Sequence, residues 1–91
     1  MDIPKAMASD LMSDVLSFCE PGSLLLTGLI NSQAVRTADV ADVSAIIFVR
    51  GKKPSHETIQ MAKERNIPLL TTAFSMFKAC GDLYSHGMNI T

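Results

Sequence analysis

Three cations crowd one short stretch of this chain. Arg50, Lys52 and Lys53 surround Gly51, are followed by Pro54, and come directly after the apolar run Ala45-Ile46-Ile47-Phe48-Val49. An arginine can hold a carboxylate or phosphate through two parallel hydrogen bonds, while lysines act as point charges. Two further polar groups stand in the same relation to an apolar run. Thr27-Gly28 follows Leu24-Leu25-Leu26, with Asn31 and Ser32 just beyond, and Thr71-Thr72 follows Leu69-Leu70. Threonine hydroxyls donate hydrogen bonds, glycine lets a ligand approach the backbone, and helix N-termini offer free N–H groups to an anion. The candidate ligand-binding residues are therefore Thr27, Gly28, Asn31, Arg50, Gly51, Lys52, Lys53, Thr71 and Thr72. The plainer reading is an ordinary polar edge of solvated loop residues and helix caps, because an anion site also needs a shaped pocket.

Other chemistries find less support. Gly51-Lys52 is followed by Lys53 and lacks the earlier glycine of a P-loop, and no Gly-x-Gly-x-x-Gly follows an apolar run. Phosphoryl transfer by P-loop machinery is thus not expected. Asp10 and Asp14, four apart on a helix, could pair for metal or acid–base work, but no histidine or third acid accompanies them. They read as solvated face residues. His56 and His86 read as surface histidines, and Arg36 with Asp39 and Asp42 as local ion pairs of small consequence. Cys19 and Cys80 lack metal-ligand spacing and give no disulfide framework, so two reduced, inert thiols are expected. No nucleophile, base and orienting group assemble from these residues. The sequence predicts a non-enzyme with no cofactor and no metal.

The elements that must position these residues can be read in order. Apolar residues at Met7, Leu11, Met12, Val15, Leu16, Phe18 and Cys19 have helical spacing, which predicts a helix from Pro4 to Cys19 after a short lead-in. Glu20-Pro21-Gly22 ends it. A strand over Leu24–Leu26 follows, then a helix capped by Asn31 or Ser32 and running from Gln33 to Ala41 with Ala34, Val35, Ala38 and Val40 inward. Ala45–Val49 is a β-branched strand. Ser55 caps the next helix, with Glu57 in its first turn and Asn66 at its end. Ile67–Thr71 forms a third strand whose Pro68 must lie at its beginning or on an edge. Thr72 is expected to cap a last helix with Phe74, Met76, Phe77, Cys80, Leu83 and Tyr84 on its apolar side, and Met88–Thr91 is expected to fray.

Helix, then three strand–helix units, predicts an α/β domain: a three-layer α/β/α sandwich on a small, mainly parallel sheet with right-handed crossovers. All C-terminal strand ends then share one edge, where ligands bind. With 91 residues the chain has room for one domain, spanning residues 1–91. A core of this size buries roughly 60–65% of the unfolded surface. A homodimer or partner protein is therefore an alternative use of the chain, with Met7, Met12, Met61 and Met76 as candidate contacts. A net charge of −1 gives no global attraction to nucleic acid. No apolar run approaches the roughly 20 residues of a membrane span, and no signal-peptide pattern opens the chain, so a cytoplasmic protein is expected.

Several segments together carry a resemblance. They are Ser9-Asp10-Leu11-Met12-Ser13-Asp14-Val15-Leu16, Leu26-Thr27-Gly28, Val49-Arg50-Gly51-Lys52-Lys53-Pro54 with Glu57, Ile67-Pro68-Leu69-Leu70-Thr71-Thr72, and Phe77-Lys78-Ala79-Cys80-Gly81-Asp82-Leu83-Tyr84. In order and spacing they resemble the small bacterial DRTGG-domain proteins over residues 7–87. The resemblance implies a domain similar to the N-terminal domain of HPr kinase/phosphorylase and to a regulatory domain of some phosphotransacetylases. Such domains accompany catalytic or ligand-sensing domains, which implies a non-catalytic regulatory module for a small anionic metabolite or nucleotide. Stand-alone members are sometimes labelled serine kinases of HPr, a label that the missing P-loop does not support. The Asp-Arg-Thr-Gly-Gly segment that names the family should precede the first helix and is absent. A shortened member, or one lacking an N-terminal strand, is expected, with any site that uses that segment incomplete and one sheet edge bare.

Overall fold

The computed structural model describes residues 3–90. Its first element is a strand. β1 (Lys5–Ala8) precedes α1 (Met12–Phe18), so the helix predicted from Pro4 to Cys19 begins eight residues later than its periodicity suggests. The reason is tertiary. Lys5, Ala6, Met7 and Ala8 are good helix formers, but β1 pairs in parallel with strands on both sides, which outweighs local propensity. Ser9 then breaks any helical continuity, its hydroxyl accepting a hydrogen bond from the Leu11 N–H at 3.0 Å.

The remaining elements are β2 (Leu24–Thr27), α2 (Ser32–Val40), β3 (Ala45–Phe48), α3 (His56–Glu64), β4 (Leu69–Thr71), α4 (Met76–Ser85) and β5 (Asn89–Ile90). The pattern of a helix and three strand–helix units is thereby corrected to four strand–helix units and a closing strand. β5 occupies part of the stretch expected to fray, while Thr91, like Met1 and Asp2 of the lead-in, lies outside the described residues. The five strands are all parallel, in the order β4-β3-β2-β1-β5. The expected loss of an N-terminal strand is corrected too: β1 fills the place between β2 and β5.

This order decides the layers. β1 to β4 step across the sheet in one direction, so right-handed crossovers put α1, α2 and α3 on one face. The step from β4 to β5 runs back across the sheet, which puts α4 on the other. Side chains divide accordingly. Leu25, Ile46 and Phe48 join Met12, Val15, Val35, Ala38 and Ala62 in one core cluster. Leu24, Leu26, Ala45 and Val49 join Ala79 in the second, with Met76, Cys80 and Leu83 packed against it. The sandwich is α/β/α, as expected. All of β2 is buried because both of its faces are covered.

The predicted ends hold in most places. Ser55 caps α3 by accepting from the Thr58 N–H, and Asn66 takes a left-handed φ of 58° after it. Asn31, the first of two candidate caps, accepts from the Gln33 N–H. The cap of α4 is Ser75 and not Thr72, because four residues separate Thr71 from Met76, the first helical residue. Val40 is exposed, outside the apolar face of α2. Asp39 pairs with Arg65 at 3.1 Å, while Arg36 donates to the Ser32 hydroxyl at 3.1 Å, so the expected local pairing of Arg36 with Asp39 and Asp42 does not form.

Candidate functional site

Ser9-Asp10, Thr27-Gly28, Arg50 to Lys53 and Thr71-Thr72 follow the four strands β1 to β4 in turn, and so share the C-terminal edge of the sheet. Two arrangements are built there.

The first lies over β1, β2 and the loop after β3. One Asp10 carboxylate oxygen accepts from the Thr27 hydroxyl at 3.1 Å and from the Gly28 N–H at 2.6 Å. The buried Thr27 hydroxyl also accepts from the Leu29 N–H at 3.1 Å. Lys52 reaches across and its ammonium donates to the Gly28 carbonyl at 3.1 Å. A Cβ on Gly28 would lie 3.4 Å from both Asp10 carboxylate oxygens and 3.5 Å from the Lys52 ammonium. Asp10 is thus an exposed carboxylate that clasps two loops, not the solvated partner of Asp14 on a helix face, since it precedes α1. Sequence reasoning missed it because a helix was expected over β1; an Asp following a strand lies at the C-terminal edge of the sheet.

The second arrangement lies over β3 and β4. α3 leaves β3 toward one face and α4 is reached from β4 on the other, so the two loops diverge at this outer edge of the sheet, while the strand order itself reverses between β1 and β5. Here two turns close on each other. Arg50 donates its N–H to the Phe74 carbonyl at 2.7 Å, and Gly51 donates to the Thr72 carbonyl at 2.6 Å. Arg50 and Gly51 both hold left-handed backbone, φ 61° and 67°, with the Lys52 N–H returning to the Val49 carbonyl at 3.4 Å. That is the geometry of a type I′ turn, which favours Asn-Gly or Gly-Gly. An arginine at its first central position is strained, and the Arg50 guanidinium has neither a hydrogen bond nor an ion pair among the described residues. The two backbone hydrogen bonds to the Thr72–Phe74 turn hold this conformation, and the Arg50 side chain takes no part in holding it. Arg50→Gly is expected to raise stability by up to about 1 kcal/mol, measured by thermal denaturation; a fall would show that the guanidinium holds the fold.

Lys53 and Thr71 line a hollow of about 340 Å³ with Pro54, Ile59 and Leu69. Thr72 binds its own loop, its hydroxyl accepting from the Phe74 N–H at 3.2 Å, and lines a hollow of about 160 Å³ on the α4 side with Ile47 and Leu83. Asn31 stays apart; its side chain serves only α2. The structure thus joins Thr27, Gly28 and Lys52 to Asp10, joins Arg50, Gly51 and Thr72 through backbone, and sets Lys53 beside Thr71.

The charge balance within this edge is uneven. Asp10 offsets Lys52, whereas the exposed Arg50 and Lys53 have no acidic partner among the described residues. An anion is favoured on the β3–β4 side, and groups that donate hydrogen bonds are favoured by Asp10. At the opposite edge a hollow of about 320 Å³ is lined by Asp39, Asp42, Ser44 and Arg65. Its arginine is already paired, which leaves carboxylate walls unsuited to an anion.

Neither cysteine is activated. Burial pushes the Cys80 thiol above its ordinary value, and burial with the nearby Glu20 carboxylate pushes Cys19 up despite a hydrogen bond with Ser23. Among the described residues no group of three or more His, Cys, Asp or Glu side chains could hold a metal ion, and no helix is long and apolar enough to cross a membrane.

No family model matches the chain, and no curated protein matches it. Among solved structures it is similar to the CBS and DRTGG domains of the regulatory region of Clostridium perfringens pyrophosphatase, complexed with the activator diadenosine tetraphosphate. The TM-score is 0.74 at 22% identity, over 93% of this chain and 39% of that one. The likeness is one of fold, and the present chain spans well under half of its neighbour.

Proposed function

We propose that the chain is a DRTGG-type regulatory module, without catalysis of its own, that senses a small anionic metabolite or nucleotide at the C-terminal edge of its sheet. The observation that carries this reading is Arg50, exposed and unpaired among the described residues in a strained left-handed turn at the C-terminal end of β3. Its guanidinium and the Lys53 ammonium would receive the phosphate or carboxylate, with the Gly51 turn giving close access to the backbone. Asp10, beside Gly28, would receive hydroxyl or amine groups of the same ligand. A molecule with an anionic end and a hydroxyl-bearing body fits both halves, which favours a nucleotide over a bare inorganic anion. The neighbour with nucleotide activator bound agrees with that class of ligand.

A thermal-shift panel of adenine and guanine nucleotides, dinucleoside polyphosphates and sugar phosphates tests the reading. At least one is expected to raise the melting temperature of the wild type, and Arg50→Ala/Lys53→Ala is expected to weaken its binding by roughly a hundredfold, the equivalent of two charge-assisted contacts. A panel with no shift, or equal affinity in the double variant, would count against it.

A further inference from the structure

The hollow beside Lys53 measures about 340 Å³ and lies between two elements. Pro54 and Ile59 line it on the α3 side, and Leu69 and Thr71 line it from β4. Its volume is at the lower end of the roughly 300–1,000 Å³ typical of small-molecule sites. Pro54, Ile59 and Leu69 make the lining largely apolar, and Lys53 adds a charge that no acidic partner among the described residues balances.

Apolar side chains alone would suit any apolar body. The backbone of β4 narrows the choice, because β4 is an edge strand. The Ile46 N–H donates to the Pro68 carbonyl at 3.0 Å, and the Thr72 N–H donates to the Phe48 carbonyl at 2.9 Å. Backbone groups alternate in direction along a strand, so those of Leu70 face β3 and those of Leu69 and Thr71 face away from it. On that outer side no strand among the described residues pairs with β4. The two residues whose backbone points outward are the two that line the hollow. Apolar walls therefore stand beside a row of N–H donors and C=O acceptors. An alkyl chain would leave that row unmet, and a sugar would press its hydroxyls against apolar walls. A nucleobase meets both, with an apolar face on either side and donors and acceptors around its rim.

We propose that this hollow is a nucleobase subsite, the base lying between Ile59 and Leu69 with its rim toward the β4 edge and its phosphate at Lys53 and Arg50. The inference rests on the reading of this edge as an anion site, and adds the part of the ligand that confers selectivity. Ile59, Leu69 and Thr71 become the residues that tell a nucleotide from a sugar phosphate. Asp10, over β1 and β2, lies beyond the cations from the hollow, so it meets what the phosphate carries at its far end.

Isothermal titration calorimetry with adenosine, guanosine and cytidine monophosphate, against ribose phosphate as the same anion without a base, tests this. On the wild type at least one nucleotide is expected to bind about tenfold or more tighter than ribose phosphate, through burial of the base. In Ile59→Trp, whose ring fills the hollow, that advantage is expected to shrink to within about twofold. Thr71→Trp fills the hollow from the exposed edge strand, where an aromatic residue suits the backbone, and is expected to do the same should Ile59→Trp melt early. Ribose phosphate matching every nucleotide on the wild type, yet weakened by Arg50→Ala/Lys53→Ala, overturns the base subsite and leaves the anion site standing. Absence of binding by all four overturns both. A nucleotide advantage undiminished in a folded Ile59→Trp or Thr71→Trp overturns the subsite as well.

Discussion

Phe48→Ala is expected to lose about 3–5 kcal/mol of stability, the largest effect of any substitution considered, and to leave the chain barely folded at 37 °C. Phe48 is the largest fully buried side chain and sits in β3, at the centre of the cluster formed with α1, α2 and α3. The cluster it belongs to draws on α1, α2 and α3 as well as β2 and β3, so no single loop could collapse into the cavity left by truncation. A domain of this size has roughly 5–10 kcal/mol in total, which makes such a loss most of the margin. Urea denaturation checks this, with Phe77→Ala as its control. Phe77 has the same ring at 90% exposure, and in dilute protein its truncation is expected to change stability by no more than about 0.5 kcal/mol. Similar losses in the two variants would show that burial, as described, does not govern the core.

Asp10→Ala is expected to lower the melting temperature by roughly 10 °C, the equivalent of about 2 kcal/mol for a domain of this length. An exposed aspartate on a helix would cost far less. Asp10 instead accepts two hydrogen bonds with one oxygen, from the Thr27 hydroxyl and the Gly28 N–H, and truncation leaves the buried threonine hydroxyl without its acceptor. Asp10→Asn keeps an acceptor oxygen but removes the charge, and roughly half the loss is expected. Differential scanning calorimetry on both variants distinguishes the roles. A shift under about 3 °C for Asp10→Ala would mean that the clasp does not hold the β1 and β2 loops together.

How much of this was legible before the structure depends on where the controlling physics lies. β3 and α3 could be read because their signals are local: β-branched residues in one, and a serine cap with a terminal asparagine in the other. The parallel sheet followed from the alternation of strands and helices. β1 could not be read, because Lys5-Ala6-Met7-Ala8 favours a helix until two neighbouring strands claim its hydrogen bonds. That misreading also hid Asp10, whose position at a strand end gives it its partners. β5 has only two residues and exists through its pairing with β1. In α4 the apolar residues spread around more than one face, so periodicity could not tell Leu83, which packs inward, from Phe77 and Tyr84, which do not.

The candidate site was legible in part for the same reason. Thr27, Gly28, Arg50 and Lys53 follow apolar runs, and topology alone brings strand ends together. What spacing could not show is how the loops use their own polar groups. Lys52 is occupied by the Gly28 carbonyl, and the N–H groups of Arg50 and Gly51 are occupied by the Thr72–Phe74 turn. The side chains of Arg50 and Lys53 are what remain for a ligand.

Amide chemical-shift mapping during titration with the nucleotide that gives the largest thermal shift tests the central claim most directly. The expected result is a saturable set of changes confined to the strand-end loops, strongest at Arg50, Gly51, Lys53 and Thr72, smaller at Asp10 and Gly28, and saturating at about tenfold higher ligand in Arg50→Gly while that variant melts at a higher temperature. Changes centred on Asp39, Asp42 and Arg65 at the opposite edge, or undiminished binding in Arg50→Gly, would contradict it.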